Sequence, residues 1–162
     1  LAALVADFPD VTLTMIGPDK GDGFLQATQA AADRLGVADR LTFTGPVPKA
    51  AVPAALAPHD IFINTTTAES FGISVMEAAA LGQCIVTTNV GELPYLWQDG
   101  ENALLVDSGD AAAMADAIGR IVRDPALAAQ LSAGARANAA QYNWTTILPQ
   151  WESILRGLVN GE

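Results

Sequence analysis

The chain has 162 residues, of which 51% are hydrophobic and 16% are charged, a composition typical of one globular domain with a substantial core. Its 8 basic and 18 acidic residues give a net charge of −10, which argues against nucleic acid or an anionic membrane surface as a partner. Cys84 is the only cysteine, so no internal disulfide can form, and no run of about 18 apolar residues predicts a membrane span. We therefore expect a reduced, cytoplasmic setting.

Short apolar runs alternate with helical patterns along the chain. Runs rich in β-branched and aromatic residues, bounded by turn residues, predict strands at 11–16, 41–44, 61–64, 84–88 and 103–106. Helices are predicted at 24–35, 111–122, from 125 onward and at 145–158. Gly36 is expected to close the first of these, and Asp110 and Asp124 to cap the next two. The last helix is expected to pack through Trp144, Ile147, Trp151 and Leu155.

This alternation predicts an α/β fold, a Rossmann-like doubly wound parallel sheet with helices on both faces. Residues 1–8 are typical of the end of a helix, whereas a doubly wound domain normally opens with a central strand. We therefore expect the sheet to lack its first strand and the chain to belong to a larger protein. Ligands bind such sheets beyond the carboxyl ends of the strands, where the loops 17–23, 45–49, 65–72 and 89–94 are predicted.

The most informative stretch runs from Asn64 to Glu77. Three threonines leave the strand, Glu69 and Gly72 follow, and a helix begins. A glycine at this turn lets a ligand approach the backbone closely. The N–H groups of Gly72, Ile73 and Ser74 would face outward from the helix N-terminus, and with the helix dipole they would form an anion site suited to a diphosphate.

Two carboxylates, Glu69 and Glu77, frame this predicted site. Eight helical residues would separate them by about 12 Å and rotate them by about 80°, so we interpret them as separate ligand contacts rather than as an acid/base dyad. Carboxylates accept hydrogen bonds from the paired hydroxyls of riboses and hexoses. On spacing alone a structural interpretation stays open, in which the dipole favours the glutamate and Phe71 belongs to the core.

The segment Glu69-Ser70-Phe71-Gly72 followed by Glu77 resembles the signature of the group 1 glycosyltransferases, family 4 among carbohydrate enzymes. The family's other landmarks are matched in order over nearly the whole chain by residues 41–45, 60–63, 100–106 and 142–144. The resemblance implies that residues 1–162 are the C-terminal, donor-binding domain of a two-domain enzyme with the GT-B fold. Such an enzyme transfers a sugar from a nucleotide diphosphate sugar to an acceptor with retention, without a metal or other cofactor.

The resemblance also implies roles for individual residues. Glu77 should bind the ribose hydroxyls, and Glu69, the catalytic candidate, should meet the donor sugar. The residues expected at the sugar and diphosphate are Glu69, Ser70, Phe71, Gly72, Ile73 and Ser74, and those expected along the base are Gly45, Pro46 and Val47. The acceptor should be bound mainly by an N-terminal domain, which would also supply any peripheral membrane contact. The chain has no Asp-x-Asp sequence, the usual metal-binding signature of the other large glycosyltransferase fold.

Two departures from the family pattern affect the expected activity. The family's phosphate-neutralising Arg and Lys would precede Leu1, and Glu92 stands where the family's Gly-Gly-x-Pro-Glu turn has its second glycine. We therefore expect the isolated chain to bind donor without catalysing transfer. The alternatives are a non-catalytic nucleotide-binding module of GT-B type, or another GT-B enzyme such as a sugar-nucleotide epimerase. The epimerase should show acid/base His and Glu residues near the nucleotide, and the only histidine, His59, precedes the amino end of a strand.

Overall fold

The computed structural model describes the backbone of residues 1–160 and the side chains of residues 1–158. Five short strands occur in it: β1 (Leu13–Met15), β2 (Leu41–Phe43), β3 (Ile61–Asn64), β4 (Cys84–Thr88) and β5 (Leu104–Val106). The α-helices of this part of the chain are α1 (Phe24–Arg34), α2 (Val52–Leu56), α3 (Ile73–Ala80), α4 (Leu93–Leu96), α5 (Ala111–Arg123), α6 (Pro125–Ala140) and α7 (Trp144–Asn160). Helix and strand alternate as predicted, and the bounds of β3 and β4 agree with the sequence prediction.

The strands form two parallel sheets. β1 pairs with β2, with Leu13 opposite Leu41, and β4 lies between β3 and β5. The doubly wound fold has the strand order 3-2-1-4-5-6. With each strand of this chain numbered one higher, its two sheets have the orders 3-2 and 4-5-6, which match that order apart from strand 1. The Rossmann-like class predicted from the sequence is therefore confirmed, although the described strands divide into two sheets where one was expected.

Strand β4 is the centre of the core, since all five of its residues are buried. Successive side chains of a strand point to opposite faces. Ile85 accordingly joins one apolar cluster, with members from α2, α3 and α4, whereas Cys84 and Val86 join another with members from β5 and α5. Helix α6 contributes Ala135 to the first cluster and Leu131 to the second. Helices thus cover both faces of the sheet, as predicted.

Cys84 is a structural residue. It is buried, and its Sγ donates to the carbonyl of Ala128 at 3.3 Å. Burial raises the pKa of the Cys84 thiol, the Asp60 carboxylate raises it further, and a backbone hydrogen bond involving Ser132 opposes both. The neutral thiol is therefore the stable form, as expected for a cysteine that packs as a small apolar side chain.

Helix ends follow the local signals in the sequence. The Asp110 carboxylate accepts from the Ala113 N–H at 2.8 Å and caps α5. The Asp124 carboxylate accepts from two N–H groups in the first turn of α6, at 3.0 and 3.1 Å. Gly36 follows α1 with a φ of +67°, the left-handed conformation that ends many helices. These predicted caps are confirmed.

The N-terminal residues differ from the prediction. Residues 1–8 form successive turns rather than the end of an α-helix, with the N–H groups of Leu4 and Phe8 donating to the carbonyls of Leu1 and Leu4, both at 2.8 Å. Tertiary contacts hold this segment: Arg123 pairs with Asp7 and lies 5.0 Å from the centroid of the Phe8 ring. Because these contacts come from distant parts of the chain, the local pattern did not predict them.

The predicted packing of the last helix is wrong. Trp144, Trp151 and Leu155 are 74%, 56% and 54% exposed, and of the four residues expected to pack only Ile147 is partly buried. Helical periodicity identifies an apolar stripe but not the surface that covers it, and no other described element covers this one. No helix in residues 1–160 is both long and apolar enough to cross a membrane.

Candidate functional site

The loop of residues 65–72 leaves β3 and leads into α3 at the carboxyl ends of β3 and β4. Asn64 fixes its start by donating from Nδ2 to the Thr87 hydroxyl at 3.2 Å and accepting at Oδ1 from the Thr66 N–H at 3.4 Å. The Thr88 hydroxyl donates to the Thr66 carbonyl at 2.7 Å, and the Thr66 hydroxyl donates to the Ala68 carbonyl at 2.7 Å. The first half of the loop is therefore attached to the end of a buried strand.

Gly72 ends the loop and begins α3. Its φ of +74° and ψ of 58° are left-handed, and no side chain caps the helix. A Cβ at this position would lie 3.1 Å from Val75 Cγ2 and 3.2 Å from Leu93 Cδ2, both on fully buried side chains. Ile73 and Ser74 are exposed in the first turn. The predicted helix start is confirmed, and its N-terminal amides are free of side-chain caps.

Glu69 lies in the loop beside a cavity of about 500 Å³ that is also lined by Thr67, Ala68, Ser70 and Gly91. Its carboxylate is partly buried, and Oε1 accepts from the Ser70 N–H at 3.0 Å. No cation neutralises this side chain within the described residues, whose two ion pairs are formed by other groups. The carboxylate therefore keeps acceptor capacity toward the cavity.

Glu77 belongs to a different element. It is the fifth residue of α3, about 6 Å along the helix axis from Ile73 at 1.5 Å per residue. Its side chain is partly buried and lies outside the residues that line the Glu69 cavity. A loop position for one glutamate and a helical position for the other agree with the interpretation of two separate contacts.

A second loop packs against the first. In the turn that precedes α4, the Glu92 N–H donates to the Glu69 carbonyl at 3.2 Å. Gly91 has a φ of +57°, and a Cβ there would lie 1.9 Å from that same carbonyl oxygen. The loop 89–94 was predicted to lie near the site because it follows a strand, but its backbone contact with Glu69 is non-local and no sequence pattern indicated it.

Phe71 meets an aromatic ring from the far end of the chain. Its ring centroid is 5.4 Å from that of Tyr142, with an interplanar angle of 74°, an edge-to-face arrangement. Both rings remain more than a third exposed. The sequence indicated Tyr142 only as a family landmark. The structure adds it to the site as the residue that supports Phe71.

The loop that begins at Gly45, predicted to lie along the nucleotide base, lines a second cavity separate from that of Glu69. Gly45 and Pro46 line a volume of about 360 Å³ at the carboxyl ends of β1 and β2, together with Gly17 and Lys20, and this volume shares no lining residue with the Glu69 cavity. The Gly17 N–H donates to the Gly45 carbonyl at 3.2 Å and joins the two loops. Val47 is partly buried outside this lining.

Other polar candidates lie elsewhere. His59 precedes β3, at the opposite end of the strand from the loop 65–72, and its carbonyl accepts from Gln83 Nε2 at 2.8 Å. Within residues 1–160, no three His, Cys, Asp or Glu side chains are grouped so as to hold a metal ion.

Comparison with known proteins gives the chain's relatives. The sequence model of the family described as glycosyl transferases group 1 matches residues 1–124. A D-inositol 3-phosphate glycosyltransferase of Acidothermus cellulolyticus is 40% identical over 116 residues, which cover 72% of this chain and 26% of that protein. The enzyme of the same name from Mycolicibacterium smegmatis is 33% identical over 147 residues, covering 89% of this chain and 33% of the relative.

Solved structures agree with these relatives. HepE of Anabaena, crystallised in complex with UDP, superposes with a TM-score of 0.87 at 27% identity, over 97% of this chain and 44% of that one. Sucrose-phosphate synthase of Thermosynechococcus elongatus gives a TM-score of 0.85 at 28% identity, over 99% and 42%. HepE has also been crystallised with UDP-glucose. The chain thus spans less than half the length of each of these proteins.

Proposed function

The chain belongs to the group 1 glycosyl transferases, and we propose that it binds the nucleotide diphosphate sugar from which the whole protein transfers a sugar to an acceptor. The observation that carries this proposal is the uncapped start of α3 at Gly72, with Glu69 in the loop before it and Glu77 within the helix. Sugar, diphosphate and ribose contacts would then follow one another in that order along 9 residues of sequence, from 69 to 77.

We assign the diphosphate to the N-terminus of α3. Its first N–H groups have no side-chain cap, and the helix dipole adds a partial positive charge there, equivalent to roughly half an elementary charge. Gly72 adopts the left-handed conformation that turns the chain into α3, and the absence of a Cβ leaves room for the buried side chains of Val75 and Leu93 beneath this helix start. Ile73 and Ser74, which are exposed in the first turn, are the neighbouring contacts.

We propose that the two glutamates bind opposite ends of the donor, Glu69 the transferred sugar and Glu77 the ribose. Glu69 faces the cavity of about 500 Å³, where a hexose would sit with Ser70 beside it, and we assign this carboxylate to the reacting sugar. Glu77, one turn into α3, accepts from the ribose hydroxyls. Phe71, supported by Tyr142, closes the site from the side of the α6–α7 turn.

The base is assigned to the loop of Gly45, Pro46 and Val47. Gly45 and Pro46 line the second cavity, at the carboxyl ends of β1 and β2, which is the end of a parallel sheet where ligands bind. The complexes of HepE with UDP and UDP-glucose support a nucleotide sugar as the ligand class. We further propose that the sugar is transferred with retention and without a metal or other cofactor. The reaction would take place in the cytoplasm, with the acceptor bound mainly by another part of the protein.

The test of donor binding is calorimetric titration of this chain with UDP, GDP and ADP and with their glucose conjugates. We expect one base to be preferred and Glu77→Ala to weaken that nucleotide by about 1–3 kcal/mol, the cost of leaving buried hydroxyls without partners, which corresponds to roughly 5- to 150-fold. Glu101→Ala is the matched control, since Glu101 is exposed and precedes the amino end of β5. Equal affinity in Glu77→Ala and Glu101→Ala would remove Glu77 from the site.

The test of transfer uses the full-length protein. Glu69→Ala should lower kcat by more than it lowers affinity for the free nucleotide, because the sugar contact is needed in the transition state and the nucleotide contact is not. A selective loss of nucleotide affinity would contradict the assignment. Donor binding by the full-length protein without transfer to any acceptor would instead indicate a non-catalytic binding module.

A further inference from the structure

The turn at the start of α4 contacts the loop 65–72 at two residues, Glu69 and Gly72. Glu92 donates its N–H to the carbonyl of Glu69 at 3.2 Å. The next residue, Leu93, is fully buried, and its Cδ2 would lie 3.2 Å from a Cβ at Gly72. Two consecutive residues of one turn, Glu92 and Leu93, therefore contact the backbone of Glu69 and the glycine that starts α3.

Gly91 makes this contact possible. A Cβ on Gly91 would lie 1.9 Å from the Glu69 carbonyl oxygen, 3.0 Å from its carbonyl carbon and 3.2 Å from its nitrogen. All three are backbone atoms, so no rotamer change relieves the overlap and the peptide itself must move. The Thr88 hydroxyl holds the Thr66 carbonyl at 2.7 Å, so we expect the displacement to fall on the peptides between Thr66 and Gly72.

We propose that Gly91 is a positioning residue that fixes the Glu69 carboxylate relative to the N-terminus of α3. Because Gly91 has no Cβ, the turn can pack closely against the Glu69 peptide. The same turn contacts Gly72 through Leu93. A side chain at position 91 displaces Glu69 while leaving Glu77, on the helix, in place. The consequence for ligands rests on the proposed function, in which Glu69 meets the sugar and Glu77 the ribose; the geometric part does not.

The variants are Gly91→Ala and, as the matched control, Gly36→Ala. Gly36 has a similar left-handed φ, +67° against +57°, but a Cβ there meets nothing within 4 Å. Both substitutions place a side chain on a left-handed backbone, and only Gly91→Ala overlaps another peptide. Gly36 follows α1 at the amino end of β2, opposite the edge that carries the site.

The first measurement needs no ligand. In backbone amide spectra of the chain, Gly91→Ala should shift the signals of residues 66–72 as strongly as those next to the substitution, and Gly36→Ala should leave them unchanged. In the parent chain the Glu92 amide should exchange at least about ten times more slowly than an unprotected amide, because it donates to Glu69. Shifts confined to residues 90–92, or an unprotected Glu92 amide in the parent, would overturn the positioning role. If Gly91→Ala does not fold, the parent measurement still tests the contact on which the proposal depends, since an unprotected Glu92 amide would overturn it.

The second measurement compares ligands that differ only in the sugar. Using UDP, GDP and ADP and their glucose conjugates, Gly91→Ala should weaken the preferred sugar conjugate at least about tenfold more than the same nucleotide without sugar. Equal weakening of both ligands would contradict positioning through Glu69. Absence of binding by the parent chain and by the full-length protein would refute the proposed function instead, and the amide spectra would still decide the role of Gly91.

Discussion

The start of α3 provides the sharpest test of the fold around the site. Gly72→Ala adds one methyl group at a position with a φ of +74°. A left-handed conformation costs an alanine about 1–2 kcal/mol, and the lower entropy of the unfolded chain returns about 0.4–1 kcal/mol. The backbone alone therefore costs about 1 kcal/mol. The new Cβ also meets Val75 at 3.1 Å and Leu93 at 3.2 Å.

The packing contribution exceeds the backbone contribution because Val75 and Leu93 are both fully buried and cannot move aside freely. Overpacking of this kind costs about 1–3 kcal/mol, so we expect Gly72→Ala to lower the free energy of unfolding by about 2–4 kcal/mol in total. For a chain of this size each 1 kcal/mol corresponds to about 2–4 °C in Tm. The expected loss in Tm is therefore about 5–15 °C.

Urea unfolding followed by circular dichroism measures this loss, with Gly36→Ala as the reference. Gly36 has a φ of +67° and open space around its Cα, so its substitution should cost only the backbone share of about 1 kcal/mol. If the two variants lose the same free energy of unfolding, Val75 and Leu93 do not confine Gly72, and the close packing described at the start of α3 is wrong.

Two further predictions concern the rest of the chain. Only Leu4, Ala32 and Val37 are buried apolar residues before α2, so we expect β1 and β2 amides to exchange at least about a hundredfold faster than those of β4 in native-state hydrogen exchange; equal protection would mean that the two sheets open together. We also expect Ellman's reagent to label Cys84 only through unfolding. Since burial and Asp60 raise the pKa of its thiol in the fold, this group contributes fully to stability below the pKa of the unfolded thiol, and its contribution declines as pH rises above that value. Labelling as fast as in urea, or no alkaline loss of stability relative to Cys84→Ala, would contradict the buried neutral thiol.

The sequence predicted those parts of the fold that local chemistry determines. The caps at Asp110 and Asp124 were predicted because a carboxylate finds its N–H partners within three residues. The strands β3 and β4 were predicted because each is a short run rich in apolar and β-branched residues that is bounded by turn residues. The short helices α2 and α4 were not predicted, since five and four residues show too little periodicity to distinguish them from a turn.

The remainder of the site depends on contacts between distant residues. The loop from Glu69 to Gly72 was predicted from its own sequence, but the contacts that support it, Gly91 against the Glu69 carbonyl and Tyr142 against Phe71, join residues 22 and 71 positions apart. A helical pattern likewise predicted α7 without predicting that its aromatic stripe is exposed. One sequence without partners to compare carries no signal for such pairings.

The full burial of β4 determines where this protein can tolerate change. Three of its side chains, Cys84, Ile85 and Val86, supply two separate apolar clusters from alternate faces, and close-packed interiors register even one added or removed methylene. An altered volume at Ile85 or Val86 is felt by helices on one side, while the strand transmits any shift of its backbone to the other. Attempts to redesign ligand preference should therefore vary other residues of the loops 45–49, 65–72 and 89–92 and keep Gly72, Gly91 and this strand unaltered.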